Sequence, residues 1–427
     1  MATTQERAVE AALRESYGRL VAYLAGRNGD LAGAEDALSE AFVAALETWQ
    51  RTGVPEKPEA WLLTVARNRI LDGVRRAKRG IAIQTTFRSG VLDAQSRVRW
   101  ETIWEATLEP SFPDERLKLL FLCAHPAIDP RIQTPLLLQT VLGIDAARIA
   151  SAFLVAPATM GQRLVRAKAK IRDAGIRFEV PDSSELPERL SAVLEAIYAA
   201  YGTGWEDVTG AGGQRGFATE AISLTRLVVR LLPDEPEAMG LLALLLFCEA
   251  RSDSRRDGNG GFVPLREQNI AQWDHKQILE AEQWLRNAAR TQKMGRFQLE
   301  AAIQSAHIQQ AVSGRENNKA IVILYEGLVR FAPTVGAYTA YAIATAEAHG
   351  AAAGLAILDT LPSEVTPGYQ PYWVGRAYLL VALGRFEEAR AAYRKAIGLS
   401  EDPAVRSYLT RRSGNIPTEE LNTPETV

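Results

Sequence analysis

Cysteine and histidine are scarce in this chain, with two and four copies in 427 residues. Cys123 and Cys248 lie far apart and offer no disulfide framework of the kind that staples small secreted domains. Cys123-Ala124-His125 is the closest approach to a metal motif, and no second Cys/His pair stands near it to complete a zinc site. Long apolar runs are missing too. The longest, residues 240–247, is too short to span a bilayer. The N-terminus, MATTQERAVEAALRE, carries charges where a signal peptide needs an apolar core, so a cytoplasmic protein is expected. There is no glycine-rich phosphate loop, no clustered acid–base pair and no Ser/His/Asp set, which argues against an enzyme and against a cofactor. Extended β-branched alternation is absent as well. Ala and Leu dominate with recurring helical periodicity, so the expected fold is all-α, in roughly two or three domains.

What is present is charge gathered in particular places. The formal net charge is only −2, yet basic residues concentrate in 67–79 and 163–172. Residues 61–80, WLLTVARNRILDGVRRAKRG, read as a helix with Leu63, Ala66, Ile70, Val74 and Ala77 on one apolar stripe. Asn68, Asp72, Arg75, Arg76 and Arg79 fall opposite. A solvated basic face is the ordinary reading of such a helix. An aromatic and a side-chain amide beside the cations also suit contact with phosphates and bases together.

Upstream, residues 6–25 and 31–50 read as two helices divided at Asn28-Gly29, with Asp30 placed to cap the second. The second points Leu31, Ala34, Leu38, Ala41, Phe42, Ala45 and Trp49 inward, and Glu35, Asp36, Ser39, Glu40 and Glu47 outward. In this order, AEDALSEAFVAALETW followed by KPEAWLLTVARNRILDGVRRAKR resembles region 2 of sigma-70-type RNA polymerase sigma factors, of the extracytoplasmic-function group. The resemblance implies that Glu35, Asp36 and Glu40 contact the clamp helices of the polymerase β′ subunit. It implies equally that Trp61, Arg67, Asn68, Asp72, Arg75, Arg76 and Arg79 melt and read the promoter −10 element.

Residues 81–110 read as a linker. Helical pattern resumes at 114–123, 133–142, 146–153 and 158–172. Ile149, Ala150, Phe153, Val155, Thr159, Met160 and Leu164 match the buried positions of a helix-turn-helix, although Leu154 stands where the turn usually has glycine. Gln162, Arg163, Arg166, Lys168 and Lys170 form the exposed offering of its second helix, suited to base edges and phosphates. Following region 2, the pair resembles sigma region 4, the −35 reader and partner of the polymerase β flap, with Thr159 added to those five as DNA contacts.

After a proline-bounded joint at 175–187, the remainder is helical. The loop 251–264 resembles a calcium loop only loosely, because Arg255 takes the place of an oxygen ligand. Trp373, Ala377, Leu380, Gly384, Phe386, Ala389, Tyr393 and Ala396 keep tetratricopeptide spacing, and counting back from Ala389 places equivalent positions at Gly354 and Ala320. The expected order is region 2 over 1–80, linker 81–110, region 4 over 111–177, a helical extension with repeats over 187–410, and a tail 411–427. Such an array offers a concave surface to a protein or peptide ligand. The whole resembles extracytoplasmic-function sigma factors with a C-terminal repeat extension, whose partners are core polymerase and promoter DNA, with no membrane. A helix-turn-helix repressor fused to a repeat scaffold, acting without polymerase, is the alternative.

Overall fold

The computed structural model describes residues 4–84, 114–153, 155–206 and 217–417. They form eighteen α-helices and three short 3-10 turns; an antiparallel bridge between Arg256 and Phe262 is the one β-type pairing among them. The chain divides into two compact units, Met1–Thr203 and Gly204–Val427. Residues 85–113, which hold most of the expected linker, Leu154 and the end of the expected tail lie outside the described residues.

The first unit begins with α1 (Thr4–Asn28), α2 (Leu31–Thr52) and α3 (Pro58–Gln84). The apolar stripe of α2 drives their assembly: Ala34, Leu38, Ala41 and Ala45 are fully buried and Trp49 almost so. Helix α3 contributes Leu62 and Ala66, both fully buried, so its seam runs through Leu62 where periodicity pointed to Leu63. Glu59 ties α3 to α1 through Ser16 and through Arg19 at 3.7 Å. The helix continues to Gln84, four residues into the stretch expected to be linker.

Helices α4 (Arg116–Cys123), α5 (Pro130–Leu142), α6 (Ala146–Ala152) and α7 (Pro157–Asp173) follow. Asp129 caps α5 by accepting from the Arg131 amide at 2.9 Å, and Asp145 caps α6 from Ala147 and Arg148. Helix α7 starts on Pro157, whose missing N–H costs nothing at a helix start. These helices pack against the first three. Helix α1 crosses α5 so closely that a Cβ at Gly18 would stand 2.1 Å from the Val141 carbonyl oxygen. Gly143, at φ +68°, ends α5 in the left-handed conformation, where an added Cβ would stand 2.9 Å from the Tyr17 ring. Helix α8 (Leu186–Glu206) belongs almost wholly to this unit, although its sequence reads as the start of the extension. Arg189 on α8 donates to the Phe121 carbonyl at 2.9 Å.

The second unit is built around α10 (Pro236–Glu249), which is apolar on every side and correspondingly buried on every side. It packs against α9 (Ala218–Leu231), α11 (His275–Arg290) and α12 (Arg296–Ser313). The Glu237 carboxylate accepts from the Phe297 and Gln298 amides at 3.0 and 3.2 Å and so caps α12 from outside. Antiparallel pairs continue the stack: α13 (Asn318–Phe331), α14 (Val335–His349), α15 (Ala351–Asp359), α16 (Gln370–Ala382), α17 (Phe386–Leu399) and α18 (Pro403–Gly414). Ala377, Ala389 and Ala396 are fully buried between the last pairs. Gly354 fills the equivalent place, where a Cβ would lie 2.4 Å from the Ala342 oxygen. The expected equivalent one unit earlier is off by a residue: Ala320 is exposed and Ile321 is buried.

Candidate nucleic-acid interface

Helix α7 displays its residues on two different sides. Met160, Leu164, Ala167 and Ile171 recur every three or four residues and bury against the rest of the unit. Thr159, Gln162, Arg163, Arg166 and Lys170 are exposed on the opposite side. Arg163, Arg166 and Lys170, one turn apart along one stripe, line a groove of about 320 Å³ with Arg131 from the start of α5. Asp129 is the acid in its wall. Four cations facing one groove make a surface fitted to phosphate, with planar guanidinium forks able to reach base edges. Arg131 was not expected from the sequence. The signal is the Asp129-Pro130-Arg131 helix start, which fixes the arginine in the first turn beside α7.

Lys168 does not join them. It lies next to the apolar stripe, and its side chain, 12% exposed, forms an ion pair with Glu35 of α2 and donates to Gln139 Oε1 at 2.7 Å. Glu35 was expected to face outward with Asp36 and Glu40; it is 6% exposed. A helical wheel explains the correction, because Glu35 falls between Leu31, Leu38 and Phe42 on the buried stripe of α2. Burial raises the Glu35 carboxyl above its usual range even though the Lys168 ammonium beside it favours the ionised form. The second carboxylate oxygen, Oε1, has no hydrogen-bond partner among the described residues. Around this pair Tyr17 is buried and its hydroxyl raised, and burial pushes the Cys123 thiol up to about 12, which leaves it inert at neutral pH. His125 is spent locally, its Nδ1 accepting from the Ala127 amide at 3.0 Å.

On α2 the outer face carries Asp36 and Glu40, both exposed, with Val43 57% and Leu46 39% exposed beside them. Apolar side chains flanked by acids are an arrangement suited to a partner protein. Glu40 is already engaged by Arg69 of α3 at 3.2 Å.

On α3, Asn68 is exposed and Arg67 half-buried. Trp61 stands edge-to-face on Trp49, ring centroids 5.5 Å apart, so one of its edges is packed inside the unit. Asp72, Arg75, Arg76 and Arg79 lie on the same helix, and their side chains lie outside the described residues.

Comparison with known proteins bears on this arrangement at three places. Residues 13–80, covering α1 to α3, match Sigma-70 region 2. Residues 370–403, covering α16 and α17, match a tetratricopeptide repeat, and residues 189–289 match a "Family of unknown function (DUF6596)". The chain therefore carries a sigma-70 region 2 domain over its first three helices. Along nearly all of its length it is also related to "Uncharacterized protein R00370" of Rhizobium meliloti (strain 1021), with 36% identity over 419 residues, 98% of this chain and 97% of that protein. No solved structure matches.

Proposed function

We propose that this protein is a sigma factor of the extracytoplasmic-function type, which binds core RNA polymerase and directs it to particular promoters. Region 2 supplies the polymerase contact through Asp36 and Glu40, and the −10 contact through α3 with Trp61, Arg67, Asn68, Asp72, Arg75, Arg76 and Arg79. Helix α7 acts as the −35 reader of a region 4 module, using Thr159, Gln162, Arg163, Arg166 and Lys170. The observation that carries this reading is the groove of Arg131, Arg163, Arg166 and Lys170 in a chain that also has sigma region 2. Glu35 and Lys168 hold the two modules together and leave the list of contacts made in this arrangement.

The test is transcription in vitro with purified core polymerase and the full chain. Arg163→Ala with Arg166→Ala is expected to lower promoter-directed transcription about tenfold or more at unchanged helical content. Arg75→Ala with Arg76→Ala is expected to abolish it. Normal transcription by both variants would overturn the reading. Tight, sequence-specific DNA binding by the chain alone, without core polymerase, would favour the repressor instead. The C-terminal extension is proposed to brace the sigma modules; truncation after Glu206, which spares α8, is then expected to lower transcription, and a rise would identify it as a mask.

A further inference from the structure

In the second unit, the face of the repeat array shared by α14, α16 and α18 is not an open groove. The 256–267 segment, which precedes α11, forms one wall of it. Arg256 pairs with Asp402 and Arg266 pairs with Glu347, so the segment is held to α18 by one ion pair and to α14 by the other. Between them Phe262 stands edge-on to Tyr408 of α18, centroids 5.4 Å apart at 74°. Asp257 shapes the turn by accepting from the Asn259 and Gly261 amides at 2.9 and 2.8 Å, so its carboxylate is spent on backbone.

Segment and array together bound a cavity of about 620 Å³. That lies within the range of small-molecule sites, about 300–1,000 Å³. Its walls are apolar and aromatic, with Ile343, Val374, Tyr325, Tyr369 and Tyr408 the main surfaces. Its charges are balanced: Arg266 faces Glu347, and Arg412 is hydrogen-bonded to Tyr393 with Glu267 near by. Its uncharged polar groups are not spent. Tyr325, Tyr369 and His307 are half-buried at its wall, and no described residue hydrogen-bonds to their side chains. Polar groups at the wall of a cavity that no protein group engages are open to a partner that enters it.

We propose that this cavity is a binding site for an uncharged, amphipathic small organic molecule, whose ring or alkyl body packs on the aromatic walls and whose carbonyl or hydroxyl groups meet Tyr325, Tyr369 and His307. A charged ligand is disfavoured because the arginines already face acids. An extended peptide is disfavoured because the 256–267 segment takes the place along the array that a peptide would need. The site lies within one unit, and its test does not depend on polymerase.

The full chain is titrated with Nile red, a neutral aromatic dye with a carbonyl acceptor, and its fluorescence and stoichiometry are measured. One saturable site per chain is expected. Ala340→Phe, which fills the cavity from α14, should weaken binding about tenfold or more at unchanged helical content. Tyr325→Phe with Tyr369→Phe keeps the shape, removes both hydroxyls and should weaken it about threefold to tenfold; this variant decides if the first fails to fold. Leu279→Ser, at a side chain 68% exposed on α11, should leave binding unchanged. Binding that is unsaturable, or indifferent to both cavity variants, overturns the proposal. So does equal or tighter binding of an anionic anilinonaphthalene sulfonate, or displacement of the dye by a synthetic peptide of residues 256–267.

Discussion

The two units bury their charges and helices by different rules. In the second, each helix packs on its neighbours in the chain, so small residues in the repeat pattern, such as Ala377 and Ala389, are buried where spacing puts them. In the first, α1 meets α5 and α2 meets α7 across long stretches of sequence. There a glutamate and a lysine that read as surface residues become an interior pair. The lesson is that residues beside an apolar stripe take their environment from whichever distant helix covers that stripe.

Breaking the interior pair should have the largest effect. Lys168→Met leaves the Glu35 carboxylate buried without its partner, and should cost the first unit about 3–5 kcal/mol. Glu35→Leu with Lys168→Met should recover most of that loss, as read by urea unfolding and by hydrogen exchange localised to α2 and α7. The sign with pH follows from the raised carboxyl. Its contribution to stability is complete below the ordinary glutamate value of 4.5 and is lost as pH rises through the raised value. Lys168→Met should therefore steepen the fall in stability above that point. A variant as stable as the wild type at pH 7 would refute the role given to the pair.

The second unit should respond to acid in the opposite direction. Burial, with Arg251 and Arg266 near by, lowers His307 from 6.5 to about 4. A depressed value means stability that is present above pH 6.5 and is lost as pH falls through about 4. The loss should amount to about 2–3 kcal/mol. Hydrogen exchange in α12 and α13 at pH 7 and pH 4.5 would measure it, and His307→Gln should flatten the dependence. An unchanged slope in that variant would assign the acid sensitivity elsewhere.

Steric contact sharpens the comparison at lower cost. Gly18→Ala drives a methyl into the Val141 carbonyl, and should destabilise the first unit by about 1–3 kcal/mol. Gly354→Ala meets the Ala342 oxygen between adjacent helices and should cost a similar amount in the second unit. The difference lies in reach. Gly18→Ala should raise exchange in both α1 and α5, whereas Gly354→Ala should stay within α14 and α15. Thermal midpoints with segment-resolved exchange would separate the two.

The smallest effect on stability should come from the exposed face of α2. Asp36→Arg with Glu40→Arg should change unfolding free energy by no more than about 0.5 kcal/mol. Capture of core polymerase should nevertheless fall. Undiminished capture across a salt series would remove these acids from the proposed polymerase contact.

Local rules accounted for much of this molecule. Aspartate and proline at helix starts, such as Asp145 and Pro157, set boundaries because capping and a fixed φ act over a few residues. The repeat from Trp373 to Ala396 was legible because its packing partners are adjacent in sequence. The ordered acidic and basic helices pointed to sigma region 2 in the same way. Other features were settled only when distant helices met. Lys168 reads as one more cation of a basic helix until α2 covers its side of α7, and Glu35 reads as one acid of three until Lys168 arrives. Helix α8 reads as the extension until Arg189 reaches Phe121. Arg131 joins Arg163, Arg166 and Lys170 only through the packing of α5 against α7. Sequence fixes the period and the ends of each helix, because those depend on neighbours a turn away. Which face meets water depends on contacts scores of residues apart, and the tertiary structure alone decides it.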